Sequence, residues 1–234
     1  MDAANLARLN DARRGRRAAI LLTDLDSGRD IVVFEGDPLS PSLRPAVEAA
    51  FRSGRSTSID ADGKRCFLNV HLPPAQIVII GAVHISQVLA QMASLVGFDV
   101  RIIDPRTAFA TPERFLGIDL TADWPVDVLR DRPLDAYTAL VAVTHDPKID
   151  DSPITEALRI GCFYVGALGS RKTHAARLER LRTGGVDEAA LARISAPIGL
   201  DIGAASPAEI AVAILAEIVQ TLRTRAISPA GDNK

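Results

Sequence analysis

Cysteine is scarce: the 234 residues hold two, Cys66 and Cys162. They are far apart and neither belongs to a Cys-x-x-Cys pair, which leaves a disulfide framework and a zinc knuckle unsupported. Each reads as an inert core thiol, Cys162 at the start of a buried strand and Cys66 in an edge strand. Excess charge of either sign is missing too, and a net charge of −2 gives no reason to expect nucleic acid or membrane binding. No apolar run is long enough to span a bilayer. No apolar stretch follows a basic start, so no secretory signal is expected. Internal repeats and low-complexity tracts are absent. The expectation is a soluble cytoplasmic protein.

What is present is enough for a core: 47 % of residues are hydrophobic and 24 % charged. The organising stretch is Gln76 to Asp104. A short apolar run, Ile77 to Ile80, stops at Gly81. Ile85, Val88, Leu89, Met92 and Leu95-Val96 follow at helical spacing, Gly97 ends them, and Asp99 to Asp104 reads as a second strand. Strand, glycine turn, helix and strand form the opening βαβ unit of a doubly wound sheet. A helix starting after Gly81 points free N–H groups at the strand tip and favours a phosphate there. Asp104 stands where an acid meets a ribose hydroxyl in dinucleotide sites. Two of the three fingerprint glycines are missing, however, with Val83 and Ser86 in their places. The expectation is a remodelled site, for another phosphorylated ligand or for none.

The rest of the chain is arranged around that unit. Residues 1–17 read as a polar lead-in or short helix whose arginines form a solvated face. Strands at Ala18–Leu22 and Ile31–Phe34, a helix over Pro41–Phe51 and a hairpin spanning Thr57–His71 make residues 1–72 a small α+β module. Pro73-Pro74 separates it from a Rossmann-like domain, 75–225, with a mostly parallel sheet. In that domain Thr138–Thr144 is a buried strand, Ile154–Ile160 a helix and Cys162–Leu168 a strand. A basic helix runs on to about Arg182, and Glu188–Ile194 is a short helix. Ser206-Pro207-Ala208-Glu209 caps the last long helix. Residues 226–234 are expected to be a flexible tail.

Three loops should meet at one sheet edge: Gly81 to His84, His145 to Asp151, and Gly166 to His174. The last, GALGSRKT, falls short of a phosphate-binding P-loop because Arg171 replaces its second glycine and it follows a late strand. Nucleotide triphosphate hydrolysis is rejected. The loop still offers helix-start N–H groups with Arg171 and Lys172, a cradle for one anionic group. His84, His145 and His174, taken singly, are hydrogen-bonded structural histidines; as a set on one edge they mark a site. Asp146, Asp150 and Asp151 could bind a cation, but Asp150 or Asp151 as a cap for the following helix is preferred. No nucleophile–His–acid trio is evident from spacing.

Seven blocks then share one resemblance. They are Ile80-Gly81-Ala82 with His84; Ile103-Asp104-Pro105-Arg106 with Phe109 to Phe115; Thr144 to Lys148 with Asp150-Asp151; Tyr164 to Arg171; Thr173-His174; Pro197 to Gly203; and Pro207 to Ala211. From about Leu72 onward the sequence resembles the XdhC/CoxI family of xanthine dehydrogenase accessory proteins. The resemblance implies a Rossmann-like core and a maturation role: binding the molybdenum cofactor (molybdopterin), assisting its sulfuration, and passing it to a molybdenum hydroxylase client. Relatives often have Gly where this chain has Val83, and an N-terminal domain with Ser-x-Pro-Arg and Gly-Gly-Cys motifs. Only the latter part of that domain is recognised in the first 72 residues. Either a separate partner chain supplies the rest or that activity is lost.

On this reading the protein is a non-catalytic insertion factor whose site is lined by Gly81, His84, Asp104, Arg106, His145, Asp146, Gly169, Ser170, Arg171 and Lys172. Gly81 and Gly169 would allow backbone approach, Arg171 and Lys172 would neutralise phosphate, and His84 and His145 would bond the cofactor's polar edge. No metal ligands are assigned. A cysteine desulfurase and a second copy of the chain are further expected partners. The rivals are an NAD(P)-dependent oxidoreductase with Asp104 on the ribose, and a ligand-free adaptor that docks a client enzyme.

Overall fold

In the computed structural model, which describes residues 2–225, the basic start of the chain is a full helix, α1 (Ala3–Arg14). Asp2 caps it, accepting from the Asn5 N–H at 2.7 Å. Arg8, Arg13, Arg14 and Arg17 are exposed, and the Arg8 and Arg17 guanidiniums lie over the Phe34 ring, at 5.5 and 4.2 Å from its centroid. The helix packs Leu9 and Ala12 against β1 (Ala19–Asp24) and β2 (Asp30–Phe34). After α2 (Arg44–Ser53), which buries Val47, Ala50 and Phe51, come β3 (Thr57–Ala61) and β4 (Lys64–His71). The four strands form an antiparallel sheet in the order β2-β1-β4-β3. Residues 2–73, with 223–225, make one compact unit, and residues 74–222 make the other. The tail expected at 226–234 lies outside the described residues.

The second unit opens with β5 (Gln76–Ile80), α3 (His84–Leu95) and β6 (Asp99–Ile103). A 3-10 turn at Pro112–Arg114 leads to β7 (Asp119–Thr121) and α4 (Pro125–Asp131), two elements too short to show periodicity in the sequence. Then follow β8 (Thr138–Ala142), α5 (Pro147–Ile160), β9 (Tyr164–Ala167), α6 (Arg171–Thr183), α7 (Glu188–Leu191), β10 (Ile194–Ser195) and α8 (Pro207–Thr224). All six strands pair in parallel, in the order β10-β9-β8-β5-β6-β7. That is the doubly wound Rossmann-like arrangement, and the chain reverses direction across the sheet between β5 and β8.

Alternation along the buried strands divides the core. Ile77, Ile79, Ile102 and Val141 meet Leu89 and Ala93 of α3 and Ile214 and Ile218 of α8. Val78, Ile80, Leu140 and Val165 meet Ile154 and Leu158 of α5 and Leu181 of α6 on the other face. Helices therefore cover both faces, as a parallel sheet requires.

Several boundaries differ from the sequence reading: α2 starts at Arg44 and not Pro41, β8 ends at Ala142 and not Thr144, and β9 is trimmed to Tyr164–Ala167. Ile194, expected to end a helix, pairs with Val165 as part of β10. The helix placed at Ile154–Ile160 begins two turns earlier, with Pro147 in its first turn and Pro153 inside it. Its cap is Asp146, which accepts from the Lys148 N–H at 3.0 Å, and not Asp150 or Asp151. Both cysteines are buried, but Cys66 lies in β4, between β1 and β3, and not in the edge strand expected. Burial pushes the Cys66 thiol above its ordinary range and the Cys162 thiol up to about 12, so both stay protonated at neutral pH.

Candidate functional site

The carboxyl ends of β9, β8, β5 and β6 lie side by side, and the ten residues singled out in the sequence all follow them. Gly81 and His84 follow β5, Asp104 and Arg106 follow β6, His145 and Asp146 follow β8, and Gly169 to Lys172 follow β9. In doubly wound sheets a ligand crevice lies at the reversal, here between β5 and β8, which gives its expected place between the Gly81 turn and the Thr144-His145 turn.

Gly81 packs closely against Thr144. Its φ is +118°, and a Cβ there would lie 2.8 Å from Thr144 Cγ2. The space left by the missing side chain is taken by Thr144. Ser86, fully buried, donates its hydroxyl to the Gly81 carbonyl at 2.6 Å, which lets a serine stand where the fingerprint has a small residue. At the other loop, Gly169 brings the chain against the first turn of α6, where a Cβ would sit 3.2 Å from Thr173 Cβ.

Asp104 is completely buried and fully engaged. Its carboxylate accepts from the Ala82 N–H at 2.7 Å, the Arg106 N–H at 2.9 Å, and Arg106 Nε and Nη2 at 2.9 and 2.8 Å. Burial alone would raise its pKa, but these bonds outweigh burial and hold the carboxyl below the usual range. Arg106 also lies over the Phe109 ring, 4.6 Å from its centroid. Arg114, which sequence reasoning left out of the site, donates to the Ala82 carbonyl at 3.0 Å and shares a bonded pair with Gln87. The Ala82 peptide is thus gripped on its N–H side by Asp104 and on its carbonyl side by Arg114. The only sequence signal for Arg114 was its place in the Phe109–Phe115 block.

Three helices begin at this edge, and their ends differ. The start of α5 is closed by Asp146, and that of α6 by Ser170, which accepts from the Thr173 N–H at 3.2 Å. Helix α3 has Val83 at its cap position, no side-chain cap bond and no acid in its first turn. Its first N–H groups stay open and carry the positive end of the helix dipole. His84, Arg171 and Lys172 are exposed, and among the described residues their side chains make no hydrogen bond or ion pair. His145, also exposed, has φ +64°, the left-handed region that is uncommon for a residue with a side chain. The His145 N–H donates to Asp150 Oδ2 at 3.1 Å, and the Thr144 hydroxyl donates to Asp150 Oδ1 at 2.7 Å.

The Pro197–Gly203 loop follows β10 and reaches the same edge. It is pinned by Glu217 of α8, whose Oε2 accepts from the Gly199 N–H at 2.7 Å and the Tyr164 hydroxyl at 2.5 Å. His174 is half-buried in α6, and burial lowers its pKa. Among the described residues no group of three or more His, Cys, Asp and Glu side chains could hold a metal ion. No described helix is long and apolar enough to cross a membrane.

Residues 77–218 match the family model described as the XdhC Rossmann domain. The chain is 34 % identical over 172 residues to the uncharacterized protein YqeB of Escherichia coli (strain K12), covering 69 % of this chain and 31 % of that protein. It is 33 % identical over 156 residues to a Bacillus subtilis (strain 168) protein described as a probable xanthine dehydrogenase subunit, covering 66 % of this chain and 45 % of the relative. The molybdenum cofactor insertion chaperone PaoD of Escherichia coli (strain K12) is 27 % identical over 146 residues, 62 % of this chain and 40 % of that one. The matches thus span less than half the length of these relatives. A crystal structure of a Bacillus halodurans protein described as a xanthine dehydrogenase superposes with a TM-score of 0.63, over 95 % of this chain and 65 % of the other. At 23 % identity that likeness speaks to the fold. Since the matched stretch covers most of the chain and every strand of the parallel sheet except Gln76 at its start, this chain belongs to the XdhC family through its Rossmann domain.

Proposed function

We infer that the crevice holds the molybdenum cofactor by its phosphate and its polar pterin edge. The protein then acts as an accessory factor that supports sulfuration of the cofactor and its insertion into a xanthine dehydrogenase-type molybdenum hydroxylase. The observation that carries this reading is the contrast between an open α3 start and a closed Asp104. The open helix start suits an anionic group. Asp104, with both oxygens taken by Arg106 and Ala82, has nothing to offer a ribose. The site is that of a phosphorylated ligand lacking a dinucleotide's sugar handle.

The residues present fit such a group. Open amides of α3 and the free cations of Arg171 and Lys172 would take the phosphate, while His84 and His145 would bond the heterocycle. The hydroxyl–carboxylate pair behind the crevice, Thr144 with Asp150, is buried, and the chain is read as a carrier. Its partners on this reading are the hydroxylase client, a cysteine desulfurase as sulfur source, a chain bearing the N-terminal motifs and a second copy of itself.

Cofactor released anaerobically from a molybdenum hydroxylase is expected to bind the purified protein, with no response when NAD(H) is titrated in parallel. Binding of NAD(H) alone would overturn the reading. Within the site, Arg171→Ala is expected to weaken cofactor binding about tenfold or more, the loss of a charge-assisted bond to phosphate. Its Tm should be unchanged because the side chain is exposed and unpaired. An unaltered affinity would remove Arg171 from the site.

A further inference from the structure

Two buried charges lie behind the crevice, neither of them among the residues singled out for the site. Asp150, in the first turn of α5, is 1 % exposed, and Arg177, in α6, is 2 % exposed. Arg177 spends Nη2 on the Leu168 carbonyl at 3.0 Å, just before Gly169. Its Nε and Nη1 are buried without a hydrogen-bond partner. Asp150 bonds no cation directly; its partners are the Thr144 hydroxyl and the His145 N–H. Each charge therefore depends on the other's field, and each holds a different loop of the same crevice.

The loop held by Asp150 is the strained one. His145 sits in the left-handed region, and the bond from its N–H to a buried carboxylate offsets that strain. The Thr144 hydroxyl also accepts from the Asp146 N–H at 3.0 Å, so its own proton is directed at Asp150. A proton on Asp150 would meet that hydroxyl proton. The hydroxyl would have to turn towards the Asp146 carbonyl, a longer contact at 3.5 Å, and the His145 bond would lose its charge assistance.

We propose that Asp150 is a positioning residue whose ionised carboxylate holds the His145 turn in its binding geometry, and whose protonation releases that turn, so that ligand capture at this edge is switched by pH. This rests on the crevice being the cofactor site. Burial supports it by pushing the Asp150 carboxyl up to about 6, where a mildly acidic medium would reach it. The surrounding charges do not short-circuit the device. From α6, Arg177 faces Asp150, while Arg180 is ion-paired with Asp151 at 2.7 Å. From the β6 loop, Arg106 is committed to Asp104. Its own segment carries His145, Asp146, Lys148 and Asp151. Strands β5 and β8 bring no titratable side chain, and β9 brings only Tyr164, bonded to Glu217. Asp127 and Arg130 of α4 pair with each other, leaving Asp131, and Glu188 of α7 pairs with Arg182.

The test uses the whole chain and two readouts. By NMR, the His145 backbone amide is expected to titrate with a midpoint near 6 in addition to any response to its own imidazole. Asp150→Asn, which keeps the volume, should remove that component. Thr144→Val, which removes one bond to the carboxylate, should move the midpoint upward. In parallel, anaerobically released molybdenum cofactor should bind the unmodified protein about tenfold more weakly at pH 5 than at pH 8, whereas Asp150→Asn should bind weakly at both. An amide response identical in the unmodified protein and Asp150→Asn would overturn the proposal, as would an Asp150→Asn affinity that still follows pH as before. If no cofactor binds at any pH, the functional reading falls and the amide titration alone decides the positioning role.

Discussion

Gly81→Val is expected to cost about 3–5 kcal/mol, enough to unfold a domain of ordinary stability in part at 37 °C. Two separate penalties add. At φ +118° any side chain strains the backbone, and the new Cβ would enter the space of Thr144 Cγ2 at 2.8 Å. Thr144 cannot swing away cheaply, because its hydroxyl is bonded to Asp150 and the residue is buried. Urea denaturation should show the midpoint falling with an unchanged slope. A loss below about 1 kcal/mol would mean that β5 and β8 can part at the crevice without cost.

Asp104→Ala is the second large effect, expected at about 2–4 kcal/mol. It strips the partner from the buried Ala82 N–H and leaves Arg106 uncompensated, though Arg106 is 31 % exposed and can recover water. The pH signature separates Asp104 from Asp150. The folded-state pKa of Asp104 is depressed, so its stabilisation is full above the unfolded value near 4 and is lost as pH falls through the folded value. Asp150 is raised to about 6 from 3.8, so the folded state holds its proton more tightly and stability falls by about 3 kcal/mol as pH rises from about 4 to about 6. Replacing Asp104 should therefore flatten the acid limb of the stability curve, and Asp150→Asn should flatten the opposite slope. A variant with Ala at 104 that unfolds in acid like the parent would show that Arg106 and Ala82 find other partners.

The fold was legible where period and length agreed. The apolar run Ile77–Ile80, the spacing of Ile85 to Leu95 and the run Thr138 to Ala142 announced β5, α3 and β8. Three-residue β7 and two-residue β10 carry too little pattern, and Pro153 hid the true start of α5. The candidate site was legible at the level of loops, since strand ends at a direction reversal collect function in such sheets. Pairings were not legible, because they depend on burial that only the fold creates. Asp104 looked like a sugar ligand until Arg106, two residues on, closed over it. Asp150 looked like a helix cap, although Asp146 does that work and Asp150 faces inward. Arg177 read as one more cation on a basic helix, yet it is the most deeply buried charge of α6.

The outermost strands of the parallel sheet, β7 and β10, are also its shortest, at three and two residues. An incoming strand would find almost no unpaired backbone to zip onto, so fibre growth and edge-to-edge fusion through this sheet are disfavoured. A protein docking on this sheet would therefore have to grip side chains and loops. Such contacts can be released without unzipping a shared ladder of backbone hydrogen bonds.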